Sequence, residues 1–146
     1  KTGEPYVIEF NTRFGDPETQ VVLPLISSDI TEMFTASAKG KIKDYKLTLN
    51  NGYCCAVVLA SAGYPDEYET GKEINGLEGI SPDAIVFHAG TRYEDGKVLT
   101  AGGRVLNVTG ISPIGLKEAI NIAYHNAANI NFENKYNRTD IGLKGL

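Results

Sequence analysis

Tyr6, Ile8 and Phe10 alternate with Val7, Glu9 and Asn11 along the first dozen residues. That is the period of a β-strand, whose successive side chains fall on opposite faces. One face is apolar, and the other carries Glu9, Asn11 and then Arg13. Its backbone partner is expected either in the Val58 region or before Lys1. The strand runs into Gly15-Asp16-Pro17-Glu18. Asp16 is placed to cap a helix with Pro17 at its first position and Glu18 in its first turn. That helix carries Val21, Val22 and Leu23, and Pro24 kinks or ends it. Asp29 and Glu32 have the spacing of a capping box. Ile30, Met33, Phe34 and Ala38 then form the core-facing stripe of a second helix, stopped by Gly40.

From Tyr45 onward the period shortens. The run "KLTLNNGYCCAVVLAS" predicts two strands around an Asn51-Gly52 hairpin turn. A polar loop punctuated by Gly and Pro follows, with Tyr64 and Tyr68 in it. "AIVFHAGT" is an apolar strand, Asp95-Gly96 turns the chain into "KVLTAGG", and "RVLNVTG" continues as strand. Ser112 and Pro113 predict a helix start, and Leu116, Ala119, Ile120, Ala123 and Ala127 form the helical stripe behind it. The order is one strand, two helices, about six short strands and one helix. Strands cluster instead of alternating with helices, so the class is α+β with a mainly antiparallel sheet. There is no internal repeat and no low-complexity segment.

Length and composition add bounds. A chain of 146 residues suits one modest domain or part of a larger one. A net charge of −4 gives no general attraction to nucleic acid or to an anionic membrane. No apolar run is long enough to span a bilayer, and no signal-peptide pattern opens the chain. The start, Lys1-Thr2-Gly3-Glu4, lacks Met and predicts a start removed from a longer chain. Adjacent Cys54 and Cys55 have no metal-ligand spacing, and neighbours make a strained bridge at best. They read as small buried thiols in a reducing compartment, which points to the cytoplasm.

Same-face residues two apart on a strand stand roughly 6.5–7 Å apart. Glu9 and Asn11 can therefore converge on one hard cation, with room left for phosphate oxygens and water. Arg13, next on that face, has the fork of donors that holds a phosphate. Spacing alone favours an ordinary polar sheet face, since Glu-x-Asn is a very weak pattern. His88 and His125 have no ligand-spaced partner and read as structural. Arg138 and Asp140 read as a local tether for the tail. Ser61, Asp83 and His88 list the residue types of a triad, but no nucleophile elbow is present, which excludes a hydrolase of that kind.

The segment "VIEFNTRFGDPETQ" resembles the close of the ATP-grasp domain in the phosphoribosylamine–glycine ligase (glycinamide ribonucleotide synthetase) family. The resemblance continues through "ASAGYPDEYETGKEINGL", "VFHAGT", "GGRVLNVTG", "EAINIAYHNAANINF" and "NRTDIGL" in order and spacing. It implies two parts. Residues 1–43 would end an ATP-grasp domain, as a strand plus helices. Residues 44–146 would form a small, mainly antiparallel β C-terminal domain with a flanking helix.

The resemblance also implies chemistry. The full-length enzyme would join glycine to 5-phosphoribosylamine with ATP, through glycyl phosphate, in purine biosynthesis. Glu9 and Asn11 match the family's Mg2+ or Mn2+ ligands. Arg13 would face the transferred phosphate or the glycine carboxylate. Gly15, Asp16 and Glu18 would lie by the glycine and sugar-phosphate pocket, near backbone N–H groups that suit an anion. Arg104, behind Gly102-Gly103, would bring a second positive charge to the site, with a structural salt bridge as the equal alternative. The N-terminal and ATP-grasp lobes are missing from this chain, so alone it is expected to be inactive. The rival expectation is an independent small-molecule-binding module that shares only the fold.

Overall fold

The computed structural model describes residues 3–146; Lys1-Thr2 lie outside them. The helices are α1 (Thr19–Val22), α2 (Ile30–Ala38) and α3 (Leu116–Asn129). The strands are β1 (Tyr53–Ser61), β2 (Ala84–His88), β3 (Thr91–Glu94), β4 (Lys97–Thr100), β5 (Arg104–Ser112) and β6 (Lys135–Tyr136). Four of them make an antiparallel sheet in the order β2-β5-β1-β6, and β3 pairs with β4 in a separate ribbon. Mixed helix and antiparallel sheet is the α+β class expected. Asp95 and Gly96, both at positive φ (49° and 80°), form the predicted turn between β3 and β4.

The alternation of β1 decides where the core lies. Cys55, Val57 and Leu59 point to one face, across from Leu106 and Val108 of β5, and all are buried. Helix α3 covers that face with Ala119, Ile120, Ala123 and Ala127. The helix comes very close at Gly110. A Cβ there would stand 2.3 Å from the Ala119 carbonyl oxygen and 2.5 Å from the Ala123 nitrogen. The opposite face presents Ala56, Val58 and Ala60 of β1 with Asn107 and Thr109 of β5.

A one-residue shift interrupts this alternation. Leu59 pairs with Leu106 but Ala60 pairs with Arg104, so Val105 is an extra residue on β5. In an unbroken strand Arg104 would share the core face with Leu106 and Val108. The bulge turns it to the opposite face, beside Ala60. Gly102 and Gly103 bend the chain just before Arg104 and also allow close approach. A Cβ on Gly103 would sit 2.2 Å from the Tyr64 ring, and Gly102 would meet the Gly90 Cα at 3.1 Å.

Several expectations are corrected. Residues 6–11 form no strand; they are extended and exposed, with Ile8 96% accessible. Alternation supplies a face but not a partner, and Val58 pairs with Asn107. The Asn51-Gly52 hairpin does not form, because the segment before it pairs with an earlier one. Leu49 bridges Ile26, and the Asn50 N–H donates to the Leu25 carbonyl at 2.8 Å. Helix α1 starts at Thr19 with Glu18 as its cap, because the Asp16 carboxylate accepts the Gln20 amide (2.9 Å) instead. Helix α3 starts at Leu116, while the Ser112 hydroxyl accepts the Ile114 N–H. Met33 and Phe34 are not core. Phe34 is exposed and meets the Phe14 ring edge-on at 5.8 Å. The Asp29 cap of α2 forms as expected, accepting the N–H groups of Thr31 (2.7 Å) and Glu32 (3.1 Å).

Candidate functional site

A cavity of about 450 Å³ opens on the sheet face turned away from α3. Its floor is Ala56, Val58 and Ala60, small or branched residues brought to one side by strand alternation. Tyr64 and Pro65 line it from the loop after β1, and Tyr136, Arg138 and Ile141 line it from the tail. Pro17, Arg104 and Asn137 complete it. Four segments widely separated in the chain thus converge, each contributing one of the motifs singled out above.

Arg104 ties two of these segments together. Its Nη1 donates to the Asp16 carbonyl at 2.7 Å and lies 3.4 Å from an Asp16 carboxylate oxygen. The same carboxylate accepts the Gln20 amide, and the Thr109 hydroxyl lies 3.1 Å from the Gln20 carbonyl. Thr109 also lies 2.9 Å from the buried Asn107 side-chain oxygen. Asn107 Nδ2 and Gln20 Oε1 are buried without a hydrogen-bond partner among the described residues. The Gly15–Val22 segment is thereby fastened to β5 through polar contacts.

The tail is fixed as firmly. The Arg138 guanidinium holds Asp140 with two bonds, Nε to Oδ1 at 2.9 Å and Nη2 to Oδ2 at 2.6 Å. That pairing keeps the Asp140 carboxyl below its ordinary pKa and raises that of Arg138. The Tyr124 hydroxyl donates to the Arg138 carbonyl (2.9 Å) and accepts the Ile141 N–H (3.0 Å). Burial pushes its pKa up. The local tether expected of Arg138 and Asp140 forms, and it also places Arg138 on the cavity wall.

The other expected site residues divide into two groups. Gly15, Asp16 and Glu18 stay together beside the cavity. The Glu18 carboxylate folds over Gly15, where a Cβ would meet Oε2 at 2.3 Å. Glu9 and Asn11 are side by side, Asn11 Nδ2 donating to Glu9 Oε1 at 3.0 Å, on the exposed segment before the cavity. Arg13 turns its Nη1 to the Phe14 carbonyl (2.9 Å). Among the described residues no group of three or more His, Cys, Asp or Glu side chains converges for a metal. A carboxylate and a carboxamide oxygen nevertheless suit a hard cation that takes its remaining ligands elsewhere.

The structural readings of the remaining candidates agree with their contacts. His88 bonds Thr91, and the Ser61 hydroxyl donates to the Gly102 carbonyl. Cys54 and Cys55 are free, and burial raises both thiol pKa values. Periodicity missed Tyr136 entirely, since a two-residue strand carries no period. The available signal was the clustering of Tyr, Arg and Asp in a polar tail. No helix among the described residues is long and apolar enough to cross a membrane.

Residues 54–144 match the family model described as phosphoribosylglycinamide synthetase, C domain. A phosphoribosylamine–glycine ligase of Caldanaerobacter subterraneus is 47% identical over 94% of the chain, which spans 32% of that protein. One of Chlorobaculum tepidum is 47% identical over 99% of the chain and 34% of its own length. The crystal structure of the Thermotoga maritima ligase superposes with a TM-score of 0.72 at 38% identity. That match covers 95% of this chain and 34% of the other. The chain thus spans about a third of the length of these relatives.

Proposed function

This chain belongs to the phosphoribosylglycinamide synthetase C-domain family, and from that premise we propose that it is the C-terminal part of a phosphoribosylamine–glycine ligase. The observation that carries the proposal is the reach of the similarity. It runs through both the Glu9–Glu18 segment and the cavity segments, at 47% identity over 99% of the chain. The division falls near residues 43 and 44, with the end of an ATP-grasp domain before it. Among the described residues every buried side chain lies at Cys55 or beyond, which supports a core belonging to the second part. The whole enzyme would work in the cytoplasm.

In the proposed reaction ATP phosphorylates the glycine carboxylate, giving glycyl phosphate and ADP. The amine of 5-phosphoribosylamine attacks the carbonyl carbon, the bond to the phosphate oxygen breaks, and the amine proton is lost. The amide product is glycinamide ribonucleotide. Glu9 and Asn11 would hold Mg2+ or Mn2+, which supplies neutralisation of phosphate charge when bound. Arg13 would orient the transferred phosphate or the glycine carboxylate through its fork of donors. Gly15, Asp16 and Glu18 would shape the substrate side of the site. Arg104 would hold that segment in place and lend it positive charge. The isolated chain lacks the opposing lobe and would not turn over.

The test is ADP formation by the longer polypeptide that carries this chain. Turnover requiring ATP, glycine and phosphoribosylamine together is expected. A well-folded long polypeptide that forms no glycinamide ribonucleotide would overturn the ligase and favour an independent binding module.

A further inference from the structure

Two arginines line one cavity, and each guanidinium is anchored by one edge. Arg138 spends Nε and Nη2 on Asp140. Arg104 spends Nη1 on Asp16. Among the described residues, Arg138 Nη1 and Arg104 Nε and Nη2 make no hydrogen bond or ion pair. An arginine held on one side by a carboxylate loses little further freedom when its other side binds an anion. The floor between them, Ala56, Val58 and Ala60, has no charge and no hydrogen-bonding side chain. Tyr64 and Tyr136 give two ring walls. An isolated anion would gain nothing from such a floor. A phosphate monoester on a compact carbon skeleton uses both the rim and the floor.

We propose that Arg104 and Arg138 together form the binding site for the phosphate group of a sugar monophosphate, with the sugar over the Ala56–Val58–Ala60 floor. Asp16 and Asp140 are positioning residues, which aim the guanidiniums without touching the phosphate. The proposal rests on the ligase reading for the identity of the sugar, 5-phosphoribosylamine, but not for the chemistry of the site. Arg138 sits only two residues from the 136 wall and is fixed further by Tyr124 through the tail backbone. A guanidinium kept merely to close the tail would not need to face a cavity that also receives Arg104.

The probe is D-ribose 5-phosphate, titrated into the long polypeptide without ATP or glycine, with D-ribose as control. Saturable binding of the phosphate ester is expected, with D-ribose at least tenfold weaker. Arg104→Gln and Arg138→Gln should each weaken the ester about ten- to a hundredfold, as loss of a charge-assisted hydrogen bond predicts. Asp140→Asn, which leaves both arginines in place, should weaken it less. Arg138→Lys, which keeps charge but not the fork, covers the case in which Arg138→Gln does not fold, and it too should bind more weakly. Equal affinity in the folded arginine variants, or equal affinity for ribose, overturns the site. The ligase assignment fails separately. Arginine-dependent ester binding in a polypeptide without turnover would leave the site standing, whereas turnover with arginine-independent binding would remove only the site.

Discussion

Arg104 and Asp16, 88 positions apart in the chain, are joined by a 2.7 Å bond from guanidinium to main-chain carbonyl and a 3.4 Å ion pair. The bulge at Val105 makes the contact possible by turning Arg104 off the core face. A residue on the C-terminal sheet thereby fixes the segment expected to carry substrate contacts. Arg104→Ala in the proposed full-length ligase should lower kcat/KM for phosphoribosylamine by roughly one to two powers of ten, for a lost charged hydrogen bond worth about 1.5–3 kcal/mol. Melting temperature should change little, since both side chains are part-exposed and such pairs contribute modestly. A large fall in melting temperature with catalysis intact would make Arg104 structural.

Glu9 and Asn11 adjoin on an exposed segment without a third acidic partner among the described residues. Glu9→Gln in the proposed full-length ligase should abolish most glycine- and phosphoribosylamine-dependent ATP turnover while leaving the fold intact, because the side chain is not part of any core. Steady-state kinetics in saturating magnesium decide it. Near-wild-type turnover would remove Glu9 from the metal site.

The isolated 146-residue chain should bind Mg-ATP negligibly, since it supplies only a fraction of the contacts a nucleotide needs. It should still unfold cooperatively, because β1, β5 and α3 enclose a continuous core from Cys55 to Phe132. Calorimetric titration checks the first expectation and thermal melting the second. A micromolar isotherm would contradict the division of labour proposed above.

Gly110→Ala should destabilise the domain by about 1–3 kcal/mol or more. The added methyl meets backbone atoms of α3 at Ala119 and Ala123, which cannot rotate away as a side chain can. Gly115→Ala is the control, because nothing lies within contact distance of its Cβ position. Denaturant midpoints of the two variants should differ clearly. Equal midpoints would show that α3 shifts at no cost.

The Asp29 cap gives a pH dependence of known sign. Backbone N–H bonds from Glu32 and Thr31 lower its pKa below the ordinary carboxylate value. A depressed folded pKa stabilises at pH values above the unfolded pKa, near 3.9. That contribution is lost as pH falls through the lower, folded value. Amide protection in α2, taken relative to the intrinsic exchange rate at each pH, should therefore fall as the solution is acidified through that window, and Asp29→Ala should remove the dependence. An unchanged pH profile in the variant would assign it to another group.

Local pattern alone determined the alternation of β1 and β5, the Asp95-Gly96 turn, the Asp29 cap and the α3 stripe. Each depends on neighbours within a few residues, so it is written in adjacent positions. The motif order likewise suffices to indicate the family. Tertiary structure decided what pairs with what. Residues 6–11 have the period of a strand and no partner among the described residues, while Leu49 leaves a strong turn signal unused to bridge Ile26. It also decided the site. No local period announces that an extra Val105 will turn Arg104 toward Asp16, or that Tyr136 and Arg138 will close a cavity begun at Pro17. Those contacts join residues separated by most of the chain. They form only because burying the β1–β5–α3 core offsets the entropy of closing the loops between them.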